Sequence, residues 1–257
     1  MSRIAKKAFY DSRDNLNLRT SLARYELVQQ FVSGKLVLDA GCGARRGPWL
    51  LAQTAEKVIG VDYSVKAIDY VRRHFSKVNV EYKVMDCCNL GLSDNTFDTV
   101  VSLEVIEHIQ DQKKYLSEML RVLKPGGLYI GSTPNKKPPS LRRGQIFNPN
   151  HINELTIEEY RQLLSSYFTQ VDIYGQSLKV DVVGKFEQVK RFAAKMDFLG
   201  LRYLVPIKTR DWVLGRVQAK IAPFTGAVSR DDITEADFEI SKFNFKNSTN
   251  LIAVCTK

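Results

Sequence analysis

The 257 residues include 38 Lys or Arg against 28 Asp or Glu, a formal charge of +10 at pH 7. That length fits one α/β domain with an insertion, and no apolar run nears the ~18 residues of a membrane-spanning helix. The charge draws the chain toward something anionic (nucleic acid, a phosphorylated metabolite, a membrane surface) or is simply that of a basic soluble enzyme.

Leu22, Tyr25, Leu27, Val28 and Phe31 recur at roughly helical spacing and Gly34 closes the run, so residues 1–34 read as an N-terminal helical segment. Leu36, Val37 and Leu38 then suit a buried strand that ends at Asp39 and runs into Gly41 and Gly43. Alternation follows: a helix over about 47–55, a strand 58–62, a helix 65–75, strands 80–86 and 97–103, a helix 112–123 and a strand 128–133. Lys124-Pro125-Gly126-Gly127 stops the last of these helices. Such a pattern predicts a parallel, doubly wound sheet with its ligand at the carboxyl ends of the strands.

After Thr133 the pattern breaks into a basic loop, Pro134-Asn135-Lys136-Lys137-Pro138-Pro139 and Arg142-Arg143-Gly144. Thr156 with Glu159 carries a capping-box signature for a helix running to Tyr167. Val171–Tyr174 and Leu251–Cys255 read as the sixth and seventh strands. Between them, 177–246 reads as a helical insertion in which Phe186, Val189, Phe192, Met196 and Leu199 mark an amphipathic helix. Residues 185–220 hold nine Lys or Arg against three acidic residues. The segment is expected to be a solvated helical lid over the acceptor, or a surface that meets an anionic or lipid-linked substrate. Cys42, Cys87, Cys88 and Cys255 show no Cys-x-x-Cys spacing and read as reduced thiols. Met1-Ser2-Arg3-Ile4 lacks a signal-peptide core, so the expected compartment is the cytoplasm.

The glycine-rich turn carries the strongest chemical signal. Glycines at 41 and 43 let the backbone turn tightly and approach a ligand. Asp62, about twenty residues past the first strand, is placed to accept hydrogen bonds from ribose hydroxyls. The third glycine, Gly47, falls one position late for an NAD fingerprint, and Asp39 would repel a pyrophosphate. A cofactor with positive charge and no phosphate fits better. S-adenosylmethionine offers a sulfonium, an ammonium and a ribose.

Leu36–Gly43, Val61-Asp62, Val84-Met85-Asp86, Phe97-Asp98-Thr99-Val100-Val101 and Leu123-Lys124-Pro125-Gly126-Gly127 occur in the order and spacing of class I S-adenosylmethionine-dependent methyltransferases. The chain resembles that superfamily over about residues 20–176 and again at 250–257, with Arg45 replacing the usual third loop glycine. The resemblance implies a Rossmann-like, doubly wound, seven-stranded sheet, mostly parallel with the last strand antiparallel, in a single methyltransferase domain over 1–257. It also implies a cofactor site of Asp39, Gly41, Cys42, Gly43, Asp62, Tyr63, Asp86, Cys87 and Glu104. In that site Asp86 would accept the adenine amino group, Cys87 would donate through its backbone, and Tyr63 either stacks on adenine or merely packs.

Glu104-Val105-Ile106-Glu107-His108 ends the fourth strand. If it opens a helix, Glu104 lies on the face of Glu107 and His108, at three- and four-residue separations. With His151 from Asn148-Pro149-Asn150-His151-Ile152-Asn153, these groups can hold a divalent cation such as Mg²⁺, Mn²⁺, Fe²⁺ or Zn²⁺. Glu-x-x-Glu-His with a downstream His resembles ubiquinone-pathway O-methyltransferases and small-RNA 3′-end 2′-O-methyltransferases, which implies a metal lowering the pKa of the attacking hydroxyl. It equally resembles methyltransferases without metal, where the acidic residue contacts the donor and His108 or His151 is a general base. The catalytic candidates are therefore His108, His151 and Glu107, with no residue assigned as a metal ligand.

Ser132-Thr133-Pro134-Asn135 and the run from Asn148 to Thr156 resemble bacterial small-molecule methyltransferases linked to polysaccharide or secondary-metabolite synthesis. The leading expectation is methyl transfer to a hydroxyl of a phenolic, sugar or lipid-linked metabolite. RNA methylation is favoured by charge but not by composition, since aromatics do not interleave with the basic run. N- or C-methylation, and a non-catalytic binding subunit retaining the fold, complete the alternatives.

Overall fold

The structure, a computed structural model, describes residues 15–136, 150–179, 234–243 and 245–257. The chain divides into two compact units, Leu22–Ser177 with Ile240–Lys257, and Met1–Ser21 with Leu178–Glu239. The larger unit carries every candidate site residue.

Eight strands form one sheet: β1 (Leu36–Ala40), β2 (Lys57–Asp62), β3 (Val80–Val84), β4 (Phe97–Leu103), β5 (Leu123–Pro134), β6 (Gln170–Leu178), β7 (Phe238–Ser241) and β8 (Asn250–Thr256). Their order is β3-β2-β1-β4-β5-β8-β6-β7. β1 pairs in parallel with β2 and with β4, while β8 runs antiparallel to both β5 and β6. Val37, Leu38, Asp39 and Ala40 are all fully buried, because a central parallel strand is covered on both faces. That is why β1 reads as a continuous apolar run broken only by Asp39. The order of strand addition reverses at β1, with β2 and β3 on one side and β4 and β5 on the other, so the crevice at this switch point opens at the carboxyl ends of the parallel strands.

The expected alternation is present, with α1 (Asn15–Gln29), α2 (Gly47–Leu51), α3 (Val65–His74), α4 (Gln112–Val122) and α5 (Ile157–Ser165). Ser64 and Asp111 accept from backbone amides at the starts of α3 and α4. Both halves of the Thr156–Glu159 capping box form on α5. Leu22, Tyr25 and Val28 turn the inward face of α1 into the core.

Three features depart from expectation. The sheet has eight strands rather than seven: β7 and a short 3₁₀ turn at Glu235–Asp237 arise from the tail of the segment expected to be helical. The amphipathic helix and basic run of that insertion lie outside the described residues. α2 ends at Leu51 instead of about 55, because the Gln53 and Thr54 amides turn to the Leu50 and Leu51 carbonyls in three-residue steps, and the Asn79 amide takes the Ala52 and Ala55 carbonyls beyond. β5 starts at Leu123, so Lys124-Pro125-Gly126-Gly127 becomes a bulge: Phe97 pairs with Leu123 and Thr99 with Leu128.

In the smaller unit Arg19 Nη1 donates to both carboxylate oxygens of Glu235, at 2.9 and 3.0 Å. All four cysteines are free. Among the described residues no helix is long and apolar enough to cross a membrane.

Candidate active site

The parallel pairing of β3, β2, β1 and β4 sets Asp86, Asp62, Asp39 and Glu104 at the same end of four adjacent strands. Between β1 and α2 the chain turns through Gly41 and Gly43, both with left-handed backbone (φ +79° and +59°). The Gly41 and Cys42 amides donate to the Val61 carbonyl at 2.8 and 2.9 Å, which clamps the turn onto β2. A Cβ at Gly41 would sit 2.5 Å from Val105 Cγ2, whereas one at Gly43 would meet nothing within 4 Å. Gly41 is thus fixed by conformation and packing, and Gly43 leaves open space above the loop. Arg45, the departure from the usual glycine, is exposed.

Asp39 is completely buried. Its Oδ2 accepts from the Tyr25 hydroxyl at 3.0 Å, while Oδ1 has no partner. Burial pushes its carboxyl up to about 7; the Tyr25 hydrogen bond pulls it back down, and the neighbouring Asp62 charge raises it. Asp62 receives two backbone amides, Gly43 N–H on Oδ2 at 2.9 Å and Ser64 N–H on Oδ1 at 2.8 Å. Each carboxylate oxygen retains a further lone pair for a ribose hydroxyl. Asp86, exposed after β3, accepts the Cys88 amide at 2.8 Å, and Cys87 is buried beside it. Tyr63 is 81% exposed.

These features fit S-adenosylmethionine. An uncompensated buried carboxyl supplies negative potential for cationic groups, Asp62 supplies acceptors for a diol, and an open glycine loop allows close backbone approach.

Glu104 corrects the helical reading of Glu104 to His108. It stands in the left-handed region (φ +59°), and its amide donates to the Ser132 carbonyl and hydroxyl at 3.1 Å each. The β4–β5 pairing thus extends past the strand end, and only a 3₁₀ turn, Ile106–His108, follows. Ser132 Oγ donates to Glu104 Oε1 at 2.8 Å and Asn250 Nδ2 to Oε2 at 2.7 Å, with Arg24 Nη1 3.9 Å from Oε1. Glu104 therefore does not share a face with the other three.

Glu107, His108 and His151 do converge, each offering a ligand atom within 4.8 Å of the others. Glu107 is 1% exposed and neither carboxylate oxygen has a hydrogen-bond partner. Burial, then the Glu104 charge, pushes its carboxyl up to about 9, so it is neutral at pH 7. Its own carbonyl accepts the Ile152 and Asn153 amides, which holds the His151 loop in place. His108 Nδ1 lies 2.8 Å from the Asn150 carbonyl and its Nε2 3.9 Å from Glu107 Oε1. His151 Nδ1 lies 2.9 Å from Glu154 Oε1, and the two imidazoles meet edge to face with centroids 5.0 Å apart.

Sequence reasoning missed Tyr25, Arg24 and Asn250, which are tied to Asp39, Gln176 and Glu104. One signal was available: a buried arginine and a tyrosine stand together inside the apolar stripe of α1.

The family described as "Methyltransferase domain" matches residues 38–131, the stretch from β1 into β5. A Mycolicibacterium smegmatis protein named "Probable S-adenosylmethionine-dependent methyltransferase" is 38% identical over 153 residues, 58% of this chain and 59% of that one. The chain thus spans about three fifths of that relative. A phosphoethanolamine N-methyltransferase of Triticum aestivum is 32% identical over 138 residues (52% and 27% of the two chains). A ubiquinone biosynthesis O-methyltransferase of Cereibacter sphaeroides is 34% identical over 109 residues (42% and 44%). In fold, a crystallised SAM-dependent methyltransferase from Thermotoga maritima superposes with a TM-score of 0.60 at 15% identity, covering 94% of this chain and 91% of that one. The matched stretch carries the ordered motifs on the carboxyl ends of β1 to β4, and over it the chain is similar to S-adenosylmethionine-dependent methyltransferases; the solved structure shares its fold.

Proposed function

We propose that the protein transfers a methyl group from S-adenosylmethionine to a hydroxyl of a small metabolite, with His108 removing the proton. One observation carries this reading. A carbonyl only accepts, so the 2.8 Å contact to the Asn150 carbonyl puts the proton of neutral His108 on Nδ1 and leaves Nε2 a free acceptor. A base in a fixed tautomer beside the strand-end crevice is what hydroxyl methylation requires of the protein.

The cofactor supplies an electrophilic methyl, so the chain's residues have to hold, align and deprotonate. Asp62 would receive the ribose hydroxyls, Asp86 and the Cys87 amide the adenine edge, and Tyr63 its face. Gly41, Cys42 and Gly43 let the backbone close on the methionine portion over Asp39. Glu104, tethered by Ser132 and Asn250, offers a second negative group between donor and acceptor. His151, oriented through Nδ1 by Glu154, sets its ring edge to face with that of His108. The basic insertion supports an anionic or lipid-linked acceptor and a lid role for that segment.

A second reading rests on the same three groups. The two partnerless Glu107 oxygens and one nitrogen of each imidazole are a donor set that suits a divalent cation. The N-methyltransferase among the relatives keeps amine acceptors in view as well. The test is a screen of phenols, sugars, lipid-linked glycans, amines and RNA with labelled S-adenosylmethionine, with and without EDTA. Methylation of a hydroxyl substrate supports the proposal; transfer confined to amines or RNA overturns it.

A further inference from the structure

Tyr25 belongs to none of the motifs that identify the cofactor site, yet its phenol is wedged into the floor of that site. It is 5% exposed, and its hydroxyl donates to Asp39 Oδ2 at 3.0 Å. The same ring lies so close to the glycine loop that a Cβ on Gly47 would fall 2.2 Å from both its Cζ and its hydroxyl. One side chain on α1 therefore touches both the first residue of α2 and the acidic end of β1. Asp39, for its part, has this single hydrogen bond on one oxygen and nothing on the other.

We propose that Tyr25 is a positioning residue of the cofactor site: its phenol holds the Asp39 carboxylate under the glycine loop as counter-charge to the cofactor's cationic groups, so that cofactor binding drives a proton off Asp39. The inference rests on the S-adenosylmethionine reading above and extends it to a residue and a linkage which that reading does not contain.

The surroundings of Asp39 support this. Tyr25 faces it from α1, Asp62 from the end of β2, Cys42 from the loop, Tyr82 from β3 and Cys87 from the turn after β3. Burial raises the Cys42, Tyr82 and Cys87 groups well beyond neutral pH, so they carry no charge there. Asp62 contributes like charge, and Arg45 acts on Tyr25. In the free protein, burial and Asp62 therefore favour protonated Asp39 while the Tyr25 hydroxyl opposes them, leaving the carboxyl at about 7. A sulfonium or ammonium arriving above the loop favours the ionised form. Below about pH 7 binding must then expel a proton, and affinity falls by about tenfold per pH unit.

The test is isothermal titration of S-adenosylmethionine into wild-type, Tyr25→Phe and Asp39→Asn protein between pH 6 and 8.5. Each titration is run in two buffers of different ionisation enthalpy, so that protons released are counted directly. Wild type is expected to release about half a proton at pH 7 and nearly a whole one at pH 6. Removing the phenol hydroxyl withdraws the one donor that favours the charged form. The midpoint in Tyr25→Phe should therefore move up by about one unit, weakening binding about tenfold at pH 6 and little at pH 8.5. The cofactor's own amine titrates alike in both arms and drops out of the comparison. Asp39→Asn should bind weakly with no release. A purely structural role for Tyr25 would weaken binding equally at every pH, and that parallel shift overturns the proposal. If Tyr25→Phe does not fold, wild type alone decides, since binding at pH 6 without proton release also overturns it. Absence of binding at every pH would instead remove the cofactor reading itself.

Discussion

Replacing Glu107 by Gln should change the sign of its effect on stability as pH rises. The wild-type carboxyl is 1% exposed, has no hydrogen-bond partner on either oxygen, and is pushed up to about 9. In the unfolded chain the same group ionises near its ordinary value of 4.5. Between those values the folded state holds a proton that the unfolded state has lost. Stability is therefore unaffected by this group below about pH 4.5, falls steadily as pH rises, and bottoms out above about 9. At pH 8 the ceiling on this cost is about 5 kcal/mol, and at pH 5 it is under about 1 kcal/mol. Gln does not ionise, but it buries an amide that finds no acceptor, at about 2 kcal/mol. Glu107→Gln should thus be about 1 kcal/mol less stable than wild type at pH 5 and about 3 kcal/mol more stable at pH 8. In a chain of this size that corresponds to a melting point about 6–12 °C higher at pH 8, with a crossing near pH 6. Differential scanning calorimetry of both proteins from pH 5 to 8.5 measures it. Parallel melting curves across that range would refute the placement of Glu107 as a sealed, uncompensated acid.

The other predictions address binding and turnover. Asp62→Ala removes the acceptor for two backbone amides and, on the reading above, for a ribose diol; cofactor affinity should drop by ~1.5–3 kcal/mol in calorimetry, and an unchanged dissociation constant would place the cofactor elsewhere. Gly41→Ala combines a left-handed φ with a 2.5 Å approach to Val105 and should cost about 2–4 kcal/mol in denaturant melts, while Gly43→Ala, opening on free space, should cost only about 1 kcal/mol. Equal losses for the two glycines would contradict the loop geometry. For the histidines, a simple base predicts full activity in EDTA and loss of one ionisation from the pH–rate profile in His108→Asn or His151→Asn; a cation predicts inactivation by EDTA and recovery with added divalent metal.

The parts of this fold that could be read from sequence are those set by local rules. A buried parallel strand must be apolar on both faces, so β1 and β4 announce themselves. A left-handed turn needs Gly41 and Gly43, and Thr156 and Glu159 satisfy each other within three residues. What stayed hidden depends on partners distant in the chain. The Ala52 carbonyl just past α2 is taken by Asn79, 27 residues away. Glu104 leaves the helical region because Ser132 offers its amide two acceptors from β5. The β7 strand gains its ladder only from an edge that the rest of the sheet creates. The candidate site divides along the same line. Asp39, Asp62 and Asp86 were legible from their strand-end positions, whereas Tyr25 and Asn250 come into view only when α1 and β8 are folded against them.

The two buried acids give this division a physical meaning. Asp39 and Glu107 are both nearly inaccessible, both lack a partner on at least one oxygen, and both are held far above the ordinary carboxylate range. In each case an asparagine or glutamine, or an apolar residue of similar volume, would avoid the cost of ionisation at neutral pH. Neither is compensated within the described structure: Tyr25 answers one oxygen of Asp39, and the nearest cation of Glu104, Arg24, only partly relieves Glu107. Strain of this kind is expected where the compensating charge arrives with a ligand. The two acids stand at opposite ends of the reaction path proposed here, Asp39 under the donor's loop and Glu107 beside His108 and His151, where an acceptor loses its proton. If that is their purpose, ligands should recover the stability each acid forfeits, with the largest melting-point gains at the pH where the free protein is weakest. S-adenosylmethionine should then raise the melting point more at pH 8 than at pH 6. Asp39→Asn should remove that difference and leave the pH response of Glu107 in place. A cofactor-induced gain equal at both pH values would show that Asp39 is not the charge the cofactor answers.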